Sequence, residues 1–136
     1  MGGKPPSYVL DSFAVLAFLS AEEGMARVQE VLADASAGRC TALLSLINLG
    51  EVAYIIEREQ GLARVHETLG MIDQMPIEVL PASREAVLAA AHIKAHHPIA
   101  YADAFAVAAA QSVDGVVLTG DPEFDAVKEL VRVERI

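Results

Sequence analysis

Short apolar runs alternate with longer helical stretches along most of this chain. The apolar runs predict five strands, at 8–10, 40–45, 77–81, 115–121 and 130–136, the fourth of which includes a turn. Helical periodicity predicts helices at 12–20, 22–37, 46–60, 62–75, 83–95 and 100–112, and a helical turn at 122–127. Strands that alternate with helices favour a doubly wound α/β domain, with a parallel sheet covered on both faces.

Composition narrows the class of protein. The chain has 136 residues, of which 54% are hydrophobic, so a single domain over 1–136 is expected and disorder is excluded. The most apolar stretch, 99–113, is too short to span a membrane and contains Asp103, and no secretory leader opens the chain. A cytoplasmic protein is therefore expected. The single cysteine, Cys40, is predicted to be a small buried hydrophobe.

The net charge of −9 argues against a general nucleic-acid binder, because such proteins are usually basic. The negative charge favours two other interpretations. Either the chain meets a basic protein partner, or some of its carboxylates are gathered to hold cations.

Two acids directly follow predicted strands. Asp11 comes after "YVL", and Asp121 comes after "VVLTG". In an open α/β sheet, ligands bind outside the carboxyl ends of the strands, so these acids meet in one crevice if their strands are neighbours. Helix capping is an equal alternative for each, and it is strong for Asp121 because Pro122 follows it.

Asp103 is harder to explain as a surface residue. It is the only charged residue between His97 and Asp114, and a helix that is apolar on all sides is buried. A structural acid there would need a buried cation such as Lys94, which nothing forces into reach. Function is therefore the favoured interpretation of Asp103.

Glu51 repeats this pattern more weakly, because Ile47 and Ile55 lie one turn before and after it. Asn48 lies on the same side and could join it, whereas a surface ion pair with Arg58 is an equal alternative. Two further polar residues are candidates for supporting roles. They are Ser12, as a hydrogen-bonding neighbour of Asp11, and Asp125, one turn past Asp121.

Together, Asp11, Glu51, Asp103 and Asp121 predict one chemistry. Like charges held close together do not all stay ionised unless a cation compensates them. Oxygen ligands favour Mg²⁺ or Mn²⁺, and such an ion positions a phosphate and activates a water, as in metal-dependent nucleases.

With these features the chain resembles the PIN-domain family, and within it the VapC-type toxins of prokaryotic toxin–antitoxin pairs. The resemblance is carried, in order, by "YVLDSFAVLAFL", "LSLINLGEVAYII", "IKAHHPIAYADAFAVAAA" and "VVLTGDPEF". It implies a three-layer α/β/α sandwich with a mainly parallel sheet, and Mg²⁺- or Mn²⁺-dependent cleavage of RNA. It places Asp11, Glu51, Asp103 and Asp121 at the family's acidic metal site, with Ser12 and Thr119 as neighbouring hydroxyls.

The resemblance also implies two protein partners, a cognate antitoxin and a second copy of the chain. The first helices carry more apolar residues than a small domain turns inward, so part of them is expected to form a surface for the antitoxin. These residues are Phe13, Val15, Leu16, Phe18, Leu19, Val28, Val31 and Leu32. For the homodimer, Ile55, Ile56, Leu62 and Val65 are available. Packing against the sheet is the alternative for any one of them.

Two other classes of protein stay open. A receiver-like phospho-acceptor domain is also doubly wound, but it wants a lysine near the last strand, which "LVRVERI" lacks, and it gives Asp103 no role. A non-catalytic interaction domain would use the acids only to receive a partner's basic tail.

Overall fold

The sheet is five-stranded and parallel throughout. The computed structural model describes residues 3–136, so Met1 and Gly2 of the predicted domain lie outside the described residues. The strands are β1 (Ser7–Leu10), β2 (Thr41–Ser45), β3 (Ile77–Leu80), β4 (Val116–Thr119) and β5 (Arg132–Arg135). Their order is β3-β2-β1-β4-β5, and Leu10 of β1 pairs with Leu44 on one side and Leu118 on the other. The winding therefore reverses between β1 and β4.

Six α-helices and one 3₁₀ helix connect these strands in the described part of the chain. They are α1 (Ser12–Leu19), α2 (Met25–Ser36), α3 (Leu46–Gln60), α4 (Leu62–Asp73), α5 (Arg84–His96), α6 (Tyr101–Val113) and the 3₁₀ helix Pro122–Val127. The predicted start of α2 at Glu22 is wrong by three residues. Ala21 and Gly24 both adopt positive φ, at 53° and 95°, and this left-handed backbone delays the helix to Met25.

Alternate residues of the inner strands face two separate cores. Val9, Leu43 and Val117 pack with α5, α6 and the 3₁₀ helix, whereas Leu10, Leu44 and Leu118 pack with α1 to α4. The predicted α/β/α sandwich is thus confirmed. No helix within residues 3–136 is long and apolar enough to cross a bilayer.

The cores decide which apolar residues remain available to partners. Of the residues expected on an antitoxin surface, four are buried, namely Val15, Val28, Val31 and Leu32. Phe13 is 43% exposed. Of those expected in a dimer contact, Ile56 and Val65 are buried in this chain's own core, so their availability is ruled out, whereas Leu62 is 56% exposed.

Cys40 is buried as predicted. It is 7% exposed, and its thiol lies 3.3 Å from the carbonyl oxygen of Val31, to which it donates a hydrogen bond.

Candidate metal centre

The candidate site lies where the winding of the sheet reverses. Asp11 follows β1, and Asp121 follows β4 after one glycine, so the neighbouring strands bring both acids to the same sheet edge. Asp11 is 1% exposed and is the N-cap of α1, where its Oδ1 accepts from Ala14 N at 2.8 Å. Asp121 caps the 3₁₀ helix by accepting from Glu123 N at 2.9 Å. Both acids therefore cap helices at this edge of the sheet.

Thr119, the last residue of β4, joins these two acids. Its hydroxyl donates to Oδ2 of Asp11 at 2.5 Å and accepts from the backbone N–H of Asp121 at 2.9 Å. Thr119 is fully buried, so the orientation of both acids is set by one protected hydroxyl. Ser12 starts α1 beside Asp11 and is half-buried.

Asn48 performs a similar task for Glu51 on α3. Its amide nitrogen donates to Oε1 of Glu51 at 3.0 Å and to the carbonyl oxygen of Ala102 at 3.2 Å. Its amide oxygen accepts from the Ser45 hydroxyl at 2.7 Å. Asn48 is fully buried, and it ties the end of β2 and the helix α3 to the residue that precedes Asp103.

Asp103 faces the same space from the first turn of α6. It is 8% exposed, as its apolar helix predicted. One carboxylate oxygen from each of Asp103, Asp121 and Glu123 lies within 4.8 Å of the other two. Three acids, one on α6 and two at the start of the 3₁₀ helix, are thus close enough to share one ion.

Glu123 is a member of this cluster that the sequence did not reveal. Its Oε1 accepts from Ala100 N at 2.7 Å, so it caps α6, whose own N-cap residue is an alanine. That alanine was the available signal, because a helix without a capping side chain needs an acceptor from elsewhere. The partner is 23 residues away, so no local pattern favours Glu123 over its neighbours.

Asp125, in contrast, makes its contact on the exposed surface. Its carboxylate lies 3.6 Å from Nη1 of Arg135, and its side chain is 58% exposed. A supporting role in the site stays a prediction for this residue.

Charge repulsion acts within a set of five acids, namely Asp11, Glu51, Asp103, Asp121 and Glu123. Burial raises the pKa of Asp103 to about 7, with further increases from Glu51, Asp11, Asp121 and Glu123. Burial likewise raises the pKa of Asp11 to about 6, although its hydrogen bonds from Thr119 and Ala14 oppose the shift. Without a cation, both carboxyl groups therefore take up a proton at a higher pH than a solvated aspartate does.

No protein cation compensates this cluster in the part of the chain that the structure describes. The ion pairs found there involve Arg27, Arg39, Arg64 and Arg135, and none reaches the five acids. A compact set of carboxylate oxygens without a basic partner suits a hard divalent cation such as Mg²⁺ or Mn²⁺. Asp103, Asp121 and Glu123 are the residues placed to hold one.

Comparison with known proteins identifies the family. The PIN domain model matches residues 8–130. No curated protein matches the chain significantly in sequence. Solved structures of similar fold include a chain of VapBC2 from Rickettsia felis bound to a promoter DNA fragment, with a TM-score of 0.75 and 15% identity, covering 95% of this chain and 98% of that one.

Two further structures have the same fold. DNA-bound VapBC from Salmonella typhimurium has a TM-score of 0.73 and 22% identity, covering 96% of this chain and 98% of that one. VapC20 from Mycobacterium tuberculosis is described as a sarcin–ricin loop cleaving toxin. It has a TM-score of 0.69 and 15% identity, covering 89% of this chain and 94% of that one. At these identities the structural likeness shows a shared fold alone. The family match spans most of the chain. The chain belongs to the PIN domain family.

Proposed function

We propose that this chain is a divalent-metal-dependent endoribonuclease, the toxin of a VapBC-type toxin–antitoxin pair. The observation that carries the proposal is the position of Asp103. A buried carboxylate with no basic partner within residues 3–136 lies beside Asp121 and Glu123, and it is destabilised unless a cation joins them.

The residues of the site divide into two roles in this proposal. Asp103, Asp121 and Glu123 hold Mg²⁺ or Mn²⁺. Asp11 and Glu51 lie near enough to raise the pKa of Asp103 and add negative charge that favours the cation. Such an ion, when bound, supplies a site for a phosphate oxygen and makes a bound water more acidic. Thr119 and Asn48 fix the directions of Asp11 and Glu51 through the hydrogen bonds described above.

The experiment is cleavage of defined RNA oligonucleotides by the wild-type chain, with Mg²⁺ or Mn²⁺ and with EDTA. We expect cleavage with either metal, none with EDTA, and a loss of at least about 100-fold in Asp103→Asn, because the metal loses a ligand. Asp114→Asn is the matched control. It makes the same chemical change at the other end of α6, and asparagine tolerates the positive φ of 50° found there.

Equal RNA turnover by wild type and Asp103→Asn in Mg²⁺ would refute the proposed mechanism. Metal binding without any turnover would favour the non-catalytic interaction domain instead. The receiver-like alternative is disfavoured by topology, because receiver domains have the strand order 2-1-3-4-5 and this sheet has the order 3-2-1-4-5.

The proposed partner is an antitoxin that carries basic residues. Similar folds occur in complexes described as toxin–antitoxin systems, including VapBC-5 from Mycobacterium tuberculosis. In this chain the net charge of −9 and the uncompensated acidic cluster would attract an arginine or lysine. The partner would compete with metal and RNA. The compartment proposed for this activity is the cytoplasm, where RNA is available.

Co-purification with the product of an adjacent small gene tests this partner. Binding is expected to weaken as salt rises and to stop RNA cleavage. Binding that is insensitive to salt and leaves cleavage intact would contradict insertion of a basic residue into the site.

A further inference from the structure

Phe13 is an exposed aromatic residue at the edge of the acidic cluster. It lies two residues after Asp11 in the first turn of α1, and it is 43% exposed, whereas Ala14, Val15 and Ala17 of the same helix face the core. The side chain of Phe13 is therefore directed away from the residues that hold α1 on the sheet.

A glycine gives this ring its position. A Cβ added to Gly120 would lie 2.1 Å from Cε1 and 2.6 Å from Cζ of Phe13, so the ring rests on the backbone of Gly120. Gly120 separates Thr119 from Asp121. The ring is thus held beside two residues of the site rather than free in solvent.

The charge of the chain creates a need for such a group. RNA binders usually gain affinity from Lys and Arg contacts to phosphates, but this chain has a net charge of −9. Among the described residues, none of the arginines in ion pairs contacts the acids of the site. Stacking of a base on an aromatic ring provides affinity without positive charge.

We infer that Phe13 stacks on an unpaired base of the RNA, next to the phosphate that is placed at the acidic cluster. This inference rests on the proposed nuclease function and adds a positioning residue to it. It predicts that the substrate is an RNA strand whose base is unpaired at that point, because a paired base does not expose its face to a side chain.

The first arm of the test is steady-state cleavage of a single-stranded oligonucleotide in Mg²⁺. Phe13→Ala is expected to raise KM by about 5- to 150-fold, the effect of losing one base–aromatic stack, with kcat within about threefold of wild type. Phe13→Tyr keeps the ring and is expected to retain the wild-type KM. Leu88→Ala is the matched control, because Leu88 is 54% exposed on α5, in the opposite helical layer.

The second arm measures RNA binding by fluorescence anisotropy in the Asp103→Asn chain, with oligonucleotides that carry one abasic position. We expect one abasic position to weaken binding of the chain that has Phe13, and to have no effect once Phe13→Ala is added. This arm does not depend on cleavage. If the wild type cleaves no RNA, the proposed function fails, while the dependence of binding on Phe13 and on the base still decides the stacking proposal.

Three results would overturn the stacking proposal. One is an unchanged KM in Phe13→Ala, and another is an equal response to abasic positions with and without Phe13. The third is a Phe13→Ala chain that loses a co-expressed protein partner but keeps full affinity for RNA, which would make the ring a protein contact.

Discussion

At the scale of single residues, the site stores unfavourable charge that a cation relieves. Burial and neighbouring acids raise the pKa of Asp103 from 3.8 to about 7, so the folded chain binds more protons than the unfolded chain between these pH values. The contribution of Asp103 to the stability of the metal-free chain is therefore fully present below about pH 4. This contribution is lost as the pH rises through 7. Asp11, with its pKa raised to about 6, contributes in the same direction.

Asp103→Asn is accordingly expected to stabilise the metal-free chain at pH 8, by about 1–3 kcal/mol, and to leave it unchanged near pH 4, where the carboxyl group is protonated. Urea unfolding in EDTA at both pH values measures this difference. Asp114→Asn is the control at each pH. Marked unfolding of Asp103→Asn at pH 8 would instead assign Asp103 a structural role.

Thr119 offers a second test at this scale, because its hydroxyl serves two neighbours. Thr119→Val keeps the shape of the side chain but leaves Oδ2 of Asp11 and the N–H of Asp121 without their partner. We expect a loss of about 1–3 kcal/mol in the free energy of unfolding at pH 8, together with reduced RNA cleavage. Thr119→Ser keeps the hydroxyl and is expected to lie much closer to wild type. Equal effects of the two substitutions would show that the hydroxyl is unimportant.

At the scale of elements, α6 depends on a residue that is distant in sequence. Glu123 caps this helix at Ala100 and also lies close to Asp103. Its contribution to helix stability and its contribution to metal binding can therefore be separated by mutation. Glu123→Gln keeps an oxygen for the cap, and is expected to leave the melting temperature nearly unchanged while weakening Mn²⁺ binding. Glu123→Ala is expected to lose the cap as well, at a cost of about 0.5–1 kcal/mol. Thermal melts and Mn²⁺ titrations of both variants measure these effects, and strong Mn²⁺ binding by Glu123→Gln would remove Glu123 from the site.

The same elements show what the sequence could predict. Asp103 was identifiable because one acid in an otherwise apolar helix has no solvated face to occupy. Asn48 was identifiable because it lies three residues before Glu51 on the same helix. Glu123 was not, since its position depends on a turn after β4 that returns to the start of α6. The start of α2 was missed because a left-handed alanine precedes Gly24, and local propensity does not favour that conformation.

At the scale of the whole molecule, apolar residues left outside both cores bear on assembly. Tyr54, Leu62 and Met71 on α3 and α4 are each more than 40% exposed. The sequence could not separate them from Ile56 and Val65, because neighbouring helices share one amphipathic pattern and only packing decides which residues turn inward. The homodimer that the resemblance to VapC-type toxins implies would cover the exposed set.

Light scattering after size exclusion at micromolar concentration tests this assembly. We expect the mass of two chains for the wild type and a shift toward one chain for Leu62→Glu, because a charge buried in an apolar contact is costly. Leu88→Glu, on the opposite layer, serves as the control. A wild-type mass of one chain would contradict the dimer.

Mn²⁺ binding followed by electron paramagnetic resonance measures directly whether Asp103 and its neighbours hold a divalent cation. We expect saturable binding by the wild type at pH 8 and at least about tenfold weaker binding by Asp103→Asn, since a carboxylate ligand is lost. Asp114→Asn, with the same loss of charge at the far end of α6, is expected to bind like the wild type. Identical Mn²⁺ binding by wild type, Asp103→Asn and Asp114→Asn would show that Asp103 is not a ligand of the cation.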